Sequence, residues 1–292
     1  AIHRAKKTGA KVILGTATPS LNVWKSIKPK GNIVVAKLNR RILNRQLPMV
    51  NVVDMREELA IGNRGLISRY LKGELLDLKK SGSQAIVLVP RRGYSSFLSC
   101  RSCGEVVQCP HCDIALTVHR SKDGNQWLRC HWCDFRSKIN KECGECGSKA
   151  FKPFGTGTQR VMDHLEQELE GISLIRFDRD TTRGRDGHRL LLEKFANGDA
   201  DILVGTQMLS KGMDLPKVTL AVVLAADGLL HRPDLMATEE TLQLFMQLAG
   251  RAGRGEQSGK VVVQTYCPDH PVILHLIDGR YEEFLKEEEK TR

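Results

Sequence analysis

Eight of the nine cysteines in this chain lie in four Cys-x-x-Cys pairs, and the ninth, Cys267, stands alone. The pairs are Cys100/Cys103, Cys109/Cys112, Cys130/Cys133 and Cys143/Cys146. Two thiolates presented by a tight turn are typical ligands of a tetrahedral zinc ion, so the pairs predict two four-sulfur sites. The alternative is redox chemistry, which normally uses one such pair at a helix start. Because every ligand position is a cysteine, we expect two structural zinc ions and no catalytic one.

The spacing allows three ways of combining the pairs into two sites. We favour a nested arrangement, in which the outer pairs (100, 103, 143 and 146) bind one ion and the inner pairs (109, 112, 130 and 133) bind the other. The inner pairs bracket residues 113–129, where the KDGN turn at 122–125 predicts a β-hairpin. Few apolar residues occur in this segment, so the metal must supply its folding free energy.

Basic and aromatic side chains surround the cysteines, including Trp127 and Trp132. Such side chains can contact a DNA backbone or stack on exposed bases. In the alternative interpretation, this is a solvated face with two packed tryptophans. Both interpretations stay open.

A second candidate site is the string QLAGRAGR, which contains Gln247, Arg251 and Arg254. On a helix over 236–252, these residues and Gly250 share one side. Two guanidinium groups there fit bidentate recognition of a transferring phosphoryl group. The alternative is an ordinary charged helix end.

Small and hydroxyl residues follow the predicted strands at 10–14 and 201–206. They are Thr16 and Thr18 after the first strand, and Gly205, Thr206, Gly212 and Asp214 at and after the second. Ligands bind at the carboxyl edge of parallel sheets. Thr158 begins a predicted helix over 158–170, whose free amides could hold a DNA phosphate.

Alternating apolar runs and helical patterns predict an α/β fold around a parallel sheet. Further strands are predicted at 83–90, 172–178, 218–227 and 260–266, and further helices at 66–80 and 187–197. Residues 100–150 interrupt this alternation and are predicted to be an insertion. The charged helical tail ends without an evident partner, and both ends are abrupt, so we expect a piece of a longer chain.

The amino-acid composition excludes several classes of protein. The chain has 292 residues, 41% of them hydrophobic, which excludes global disorder. Its apolar runs are far shorter than the roughly 20 residues of a membrane span. The 45 Lys and Arg residues exceed the 34 Asp and Glu residues by 11, which favours a nucleic-acid partner, although a basic enzyme is an alternative. With no secretion signal, we expect a reducing cytoplasm and no membrane.

Five strings resemble motifs III to VI of superfamily-2 helicases. They are GTATPS (15–20), VPRRGYS (89–95), GTQMLSKGMD (205–214), AADGLLHRPD (225–234) and QLAGRAGR (247–254). With the eight-cysteine insertion and DRDTT at 178–182, the chain resembles the bacterial replication-restart helicases that initiate primosome assembly. That family implies an ATP-dependent 3′-to-5′ DNA helicase with the nested zinc pairing. Its partners are forked and single-stranded DNA, primosome proteins and single-stranded DNA-binding protein.

The resemblance also implies a domain organisation around a RecA-like helicase lobe 2. Its parts are the end of lobe 1 (1–30), a connector with an amphipathic helix (31–82), lobe 2 (83–99 and 151–270), the double zinc insertion (100–150) and the start of a C-terminal domain (271–292).

The resemblance further implies roles for individual residues. Gln247, Arg251 and Arg254 would face the ATP phosphates. Gly205, Gly212 and Asp214 would couple nucleotide to the cleft between the lobes, and Thr16, Thr18 and Thr206 would link hydrolysis to DNA contact. Arg91 and Arg92 would flank the DNA path.

Parts of an ATP site are missing from the sequence. It contains no Walker A string to cradle the phosphates and no acidic box for Mg²⁺; its nearest string is GEQSGKV at 255–261. We therefore expect the full-length protein to bind ATP and Mg²⁺ and this chain alone to be inactive. One alternative is a catalytically inactive DNA-binding platform for primosome assembly. A zinc-ribbon protein of transcription or translation has no use for QLAGRAGR.

Overall fold

A computed structural model of the chain describes residues 2–27, 34–38, 47–90, 97–153, 158–182, 186–210, 214–255 and 257–292. The strands in these ranges are β1 (Met49–Asp54), β2 (Gln84–Leu88), β3 (Leu98–Cys100), β4 (Thr117–Arg120), β5 (Gln126–Arg129), β6 (Arg136–Lys138), β7 (Phe151–Pro153), β8 (Leu174–Phe177), β9 (Ile202–Gly205), β10 (Val218–Val223) and β11 (Lys260–Thr265). The helices are α1 (Ile2–Thr8), α2 (Leu21–Ser26), α3 (Met55–Ala60), α4 (Arg69–Ser81), α5 (Thr158–Glu168), α6 (Gly187–Asn197), α7 (Asp227–Leu230), α8 (Ala237–Ala249), α9 (Pro271–Asp278) and α10 (Tyr281–Thr291). A short 3-10 helix, Gln207–Ser210, follows β9.

A six-stranded parallel sheet forms the centre of the fold, in the order β1-β11-β10-β2-β9-β8. The predicted α/β class with a parallel sheet is therefore confirmed. Five of its strands coincide with the near-continuous apolar runs. The central strands β2 and β9 are buried at every position, whereas the edge strand β8 is only partly buried.

Two hydrophobic clusters cover the two faces of the sheet. Along β2, Ile86 and Leu88 belong to the first cluster, whereas Ala85 and Val87 belong to the second. The first cluster packs under α6, α8, α9 and α10, and the second packs under α4 and α5. Successive side chains along a strand thus point alternately into the two hydrophobic clusters.

Leu71 on α4 is fully buried in the second cluster, whereas Leu76 on the same helix is 37% exposed. We expect Leu71→Ala to lower the free energy of unfolding by about 2–5 kcal/mol, since it leaves a cavity. The matched change Leu76→Ala is expected to cost less than about 1 kcal/mol. Urea unfolding of both variants measures the difference, and equal midpoints would contradict this packing.

Residues 49–54, which the sequence suggests are part of a connector, form the edge strand β1 and pair in parallel with β11. The charged tail also has a partner, contrary to the sequence-based expectation. Val272, Phe284 and Leu285 are buried in the first hydrophobic cluster. Apolar positions spaced along α9 and α10 supply this contact, which the high charge of the tail hides in the sequence.

The prediction of a strand at 10–14 is wrong. These residues are irregular, and Ile13 is 97% exposed. A buried strand needs a hydrogen-bonding neighbour and two covering faces. None of the strands in the described ranges pairs with residues 10–14.

The cysteine-rich segment leaves the sheet after β2 and returns before α5. Its ends lie side by side, because β3 pairs antiparallel with β7. Between them, β4, β5 and β6 form a small antiparallel sheet, and the β4–β5 pair is the predicted hairpin. No helix in the described parts of the chain has the length and apolar character that crossing a membrane requires.

Candidate functional site

The eight paired cysteines gather into two clusters of four. One contains Cys100, Cys103, Cys143 and Cys146, and the other contains Cys109, Cys112, Cys130 and Cys133. Within each cluster the sulfur atoms lie within 4.8 Å of one another. This is the nested arrangement that we favour from the sequence.

All four Cys-x-x-Cys turns share one backbone geometry. The amide of each first cysteine donates to the carbonyl five residues later, at 2.8–3.0 Å. The residue after each second cysteine has a positive φ: 84° at Gly104, 51° at Asp113, 61° at Asp134 and 69° at Gly147. Glycine adopts this conformation freely and aspartate tolerates it. The repeated turn therefore aims both sulfurs of each pair at one point.

The sulfur spacing fits zinc. Four sulfurs at 2.3 Å from a tetrahedral zinc ion lie about 3.8 Å apart. The Sγ–Sγ distances are 3.6 Å for Cys100–Cys146, 3.7 Å for Cys103–Cys143 and 3.5 Å for Cys109–Cys133. Both clusters are thus zinc-binding sites of the structural, fully cysteine-ligated kind.

Burial opposes ionisation of some of these cysteines, whereas hydrogen bonds from backbone amides and neighbouring thiols lower the pKa of Cys100 and of Cys130 to about 7. Desolvation first, and then hydrogen bonds with neighbouring thiols, raise the pKa of Cys103 to about 12. A zinc ion displaces these protons and stabilises the thiolates. Its binding therefore supplies free energy that the small core around Leu98, Leu116 and Leu128 cannot.

The two tryptophans differ in their surroundings. Trp127 is half-buried on β5 and stacks on His119, with ring centroids 5.7 Å apart. Trp132 is 48% exposed in the turn of the third cysteine pair. The packed interpretation thus describes Trp127, and Trp132 offers a face to solvent.

The predicted helix over 236–252 ends earlier, at Ala249. Residues 250–253 form a turn, and Gly253 has a φ of 71°. A Cβ atom on Gly253 would lie 2.3 Å from the Gly259 amide nitrogen, so no other residue fits there. The Gly253 position is therefore crowded by the chain's own backbone; Arg251 lies within the turn and Arg254 directly follows it.

This turn brings Arg254 to Asp214. The Arg254 Nε atom donates to the Gly250 carbonyl at 3.0 Å, and Nη1 lies 3.4 Å from Asp214 Oδ1. Desolvation, followed by the charge of Arg254, lowers the pKa of Arg251. Two guanidinium groups therefore lie close together beside an exposed carboxylate, an arrangement suited to an anionic ligand.

Gln247 joins this turn to the GTATPS segment. Its Nε2 donates to Thr18 Oγ1 at 3.1 Å, although 229 residues separate them in sequence. The Thr18 amide donates in turn to Thr16 Oγ1 at 3.1 Å. Gln247, Thr18 and Thr16 thus form a continuous chain of hydrogen bonds.

Three residues that the sequence analysis did not identify hold the GTATPS segment in place. Glu239, 1% exposed on α8, accepts from the Leu21 amide at 3.0 Å through Oε1 and pairs with Arg292 at 2.9 Å through Oε2. The Tyr281 hydroxyl donates to the Pro19 carbonyl at 2.7 Å. Glu239, Gln243 and Gln247 recur every four residues along α8, and this polar stripe on a largely apolar helix was the available signal.

We expect Glu239→Gln to release the segment around Leu21, because the amide keeps an acceptor but loses the charge that pairs with Arg292. The free energy of unfolding is expected to fall by about 1–3 kcal/mol. Hydrogen exchange at the Leu21 amide is expected to accelerate. Glu240→Gln is the control, since Glu240 is exposed and pairs with Arg232 rather than with the segment around Leu21. Equal exchange in both variants would contradict the contact.

The other predicted residues lie at the ends of strands and helices. Gly205 is the last residue of β9, and Thr206 follows it, 8% exposed. Thr158 begins α5 and is 1% exposed, so the backbone amides at the start of this helix, rather than the Thr158 side chain, remain the predicted phosphate contact. Arg91, Arg92 and Gly212 lie outside the described residues.

Comparisons with known proteins agree with this geometry. A family model of the helicase conserved C-terminal domain matches residues 151–256, and one of the PriA DNA helicase Cys-rich region matches residues 109–138. The chain is 46% identical over 290 residues to the replication restart protein PriA of Synechocystis, covering 98% of this chain and 35% of that protein. It is also 46% identical to the Bacillus subtilis protein of the same name, covering 99% and 35%. Among solved structures, Saccharomyces cerevisiae Dbp5 bound to RNA and ADP BeF3 aligns with a TM-score of 0.49 and 14% identity, covering 98% of this chain and 57% of that chain.

The sheet, the Arg turn and the two sulfur clusters define a RecA-like helicase C-terminal lobe that carries a double zinc-binding module. Within this class of protein, the match to the Cys-rich region and the sequence identity over nearly the whole chain indicate one family. The chain belongs to the PriA family and spans 35% of the length of the two curated relatives named above.

Proposed function

We propose that this chain is the second motor lobe and zinc module of an ATP-dependent 3′-to-5′ DNA helicase. The relatives that cover nearly all of it are named replication restart proteins, which supports a role in restarting stalled forks and initiating primosome assembly. The formal charge of +11 supports a DNA partner. The proposed setting is the bacterial cytoplasm.

The observation that carries this proposal is the group formed by Gln247, Arg254 and their partners. Arg254 approaches Asp214, and Gln247 approaches Thr18, within one short segment at the end of α8. The proposed phosphate contact of Arg254 and the hydrogen bond from Gln247 to the GTATPS segment lie a few residues apart. Such a group can convert the loss of a phosphate into movement of a neighbouring segment.

The residues of this chain would divide the work. Arg251 and Arg254 would bind the ATP phosphates and stabilise the charge that develops on the transferring group. Asp214 would hold Arg254 in place until the nucleotide binds. ATP, bound with Mg²⁺ by the full-length protein, would supply the phosphoryl group. Gln247 would pass the change to Thr18 and Thr16, which with Thr206 would link hydrolysis to DNA contact. Gly205 and Gly212 would couple the nucleotide to the cleft between the lobes.

For DNA, we propose contacts from Arg91, Arg92 and the exposed face of Trp132. Trp127 would support this surface by packing on His119, and the backbone amides at the start of α5 near Thr158 would add a phosphate contact. Primosome proteins and single-stranded DNA-binding protein are the proposed protein partners.

Direction and coupling are tested with the full-length protein on duplexes that carry a single-stranded tail at one end. We expect ATP-dependent unwinding when the tail allows 3′-to-5′ movement, and little when it does not. Binding to forks without unwinding of either substrate would favour the alternative, a DNA-binding platform for primosome assembly.

We expect this chain alone to hydrolyse ATP no faster than buffer, with or without DNA. The reason is that its sequence supplies arginines but no Walker A loop to cradle the phosphates. A phosphate-release assay on the purified, zinc-loaded chain measures this. Turnover that Arg254→Ala abolishes would overturn the expectation.

A further inference from the structure

A third group of possible metal ligands lies outside the two cysteine clusters. It contains Asp227 at the start of α7, His231 just after α7, and Cys267 after β11. One ligand atom from each lies within 4.8 Å of the others. The Cys267 Sγ and His231 Nε2 atoms are 3.5 Å apart. The group lies at the carboxyl edge of β10 and β11, away from the Arg254 turn in sequence.

Asp227 is the unusual member of this group, because its carboxylate is 1% exposed and only half satisfied. Oδ1 accepts hydrogen bonds from Thr265 Oγ1 at 2.9 Å and from the Tyr266 amide at 3.0 Å. Oδ2 is buried and has no hydrogen-bond partner among the described residues. A buried carboxylate oxygen without a partner is costly, and burial accordingly raises the pKa of Asp227; a bound cation would remove that cost.

The two short contacts of the Cys267 thiol go to atoms other than this oxygen, although a hydrogen bond with Asp227 contributes, after burial, to the raised pKa of Cys267. The Cys267 thiol lies 3.3 Å from the Gly104 carbonyl oxygen and 3.5 Å from His231 Nε2. A thiol has one proton and can donate to only one of them. In either case Asp227 Oδ2 gains nothing. A cation among the three side chains would satisfy all of them.

We propose that Asp227, His231 and Cys267 bind a third divalent cation of the zinc class. Carboxylate, imidazole and thiolate are all zinc ligands. Zinc bonds of 2.3 Å to sulfur and about 2.05 Å to nitrogen, at a tetrahedral angle, place those two atoms about 3.6 Å apart. The measured 3.5 Å agrees. Three protein ligands leave the fourth position for a water molecule.

The state of His231 is compatible with this role. Burial first, and then the neighbouring His270, lower the pKa of His231 to about 4. The imidazole is therefore neutral near pH 7, and the ring nitrogen that carries no proton can offer a lone pair. The His270 ring lies edge-on to it, with centroids 5.6 Å apart.

The third ion would fasten the zinc module to the sheet. Gly104 ends the first cysteine turn with a φ of 84°, and a Cβ atom there would lie 2.3 Å from the Tyr266 carbonyl oxygen. The Arg101 guanidinium lies over the Tyr266 ring, 4.5 Å from its centroid. Cys267, which touches Gly104, would thus tie this turn to the end of β11 through the metal.

Metal counting on the intact chain tests the site. The chain is incubated with excess Zn²⁺, freed of unbound metal by gel filtration and analysed by mass spectrometry. We expect three zinc ions per chain in the wild type and in the control His3→Ala, which changes an exposed histidine. Cys267→Ala and His231→Ala are each expected to retain two. Two ions in the wild type, or three in both variants, would overturn the proposal.

A titration guards against variants that fail to fold. Zn²⁺ is added to wild-type chain that already holds two ions, and heat is measured. We expect one further binding event, weakened more than 100-fold by Asp227→Asn, because even changes outside the ligand shell cost about 10–100-fold in metal affinity. No further event in the wild type, or an unchanged curve in the variant, would overturn the site. Neither experiment involves ATP, so a result that overturns the third metal site would leave the proposed helicase function untouched.

Discussion

Arg254→Ala in the full-length protein is expected to lower the rate of ATP hydrolysis by about 10³-fold or more. An arginine that stabilises the charge of a transferring phosphoryl group is worth this much in kcat. The structure holds the Arg254 side chain between the Gly250 carbonyl and Asp214, beside Arg251. The alanine variant loses the guanidinium and its hydrogen bond to the Gly250 carbonyl, but it keeps the backbone hydrogen bond from the Gly253 amide to Val218. Steady-state phosphate release in the presence of forked DNA measures the effect.

The controls separate catalysis from folding and DNA binding. Arg189→Ala removes an exposed arginine of α6, which pairs with Glu193 on the same helix, and is expected to leave turnover unchanged. Asp214→Asn keeps both arginines and isolates the effect of releasing Arg254 from its carboxylate. Fork affinity of Arg254→Ala is expected to remain close to that of the wild type. Unchanged turnover in this variant would remove the assigned role.

Cys109→Ser is expected to release the zinc ion of the inner cluster and to unfold the β4–β5–β6 sheet while sparing the parallel sheet. A structural zinc ion contributes apparent binding free energies of about 10–16 kcal/mol at pH 7, which a small module cannot replace. The module has its own small core around Leu98, Leu116 and Leu128, separate from the two clusters that cover the parallel sheet. Hydrogen exchange is therefore expected to rise in β4 and β5 and to stay slow in β2 and β10.

The matched control is His111→Ala, which changes an exposed residue of the same cysteine turn without removing a sulfur. It is expected to retain its zinc and the protection of β5. The measurements are zinc content and residue-resolved hydrogen exchange of both variants. A Cys109→Ser chain with the wild-type amount of zinc would show that Cys109 is not a ligand.

The sequence by itself was sufficient for features whose cause is local. Near-continuous apolar runs predicted β2, β8, β9, β10 and β11, because strands in a sheet that is covered on both faces are largely apolar. The Cys-x-x-Cys spacing predicted the zinc-binding turns because these turns are also local features of the chain. Each turn is formed within six residues, with one repeated hydrogen bond and one positive φ. The bracketed hairpin then made the nested pairing the favoured one of three.

Only the tertiary structure decided features that depend on distant partners. The edge strand β1 exists because β11 pairs with it, and residues 10–14 are irregular because no strand in the described ranges does so. The same holds for the Arg254–Asp214 pair, the hold of Glu239 on Leu21, and the group formed by Asp227 and Cys267. These contacts join residues that are tens to hundreds of positions apart, so no local pattern records them. Chain folding brings them together, and burial then determines which charges and lone pairs must find partners.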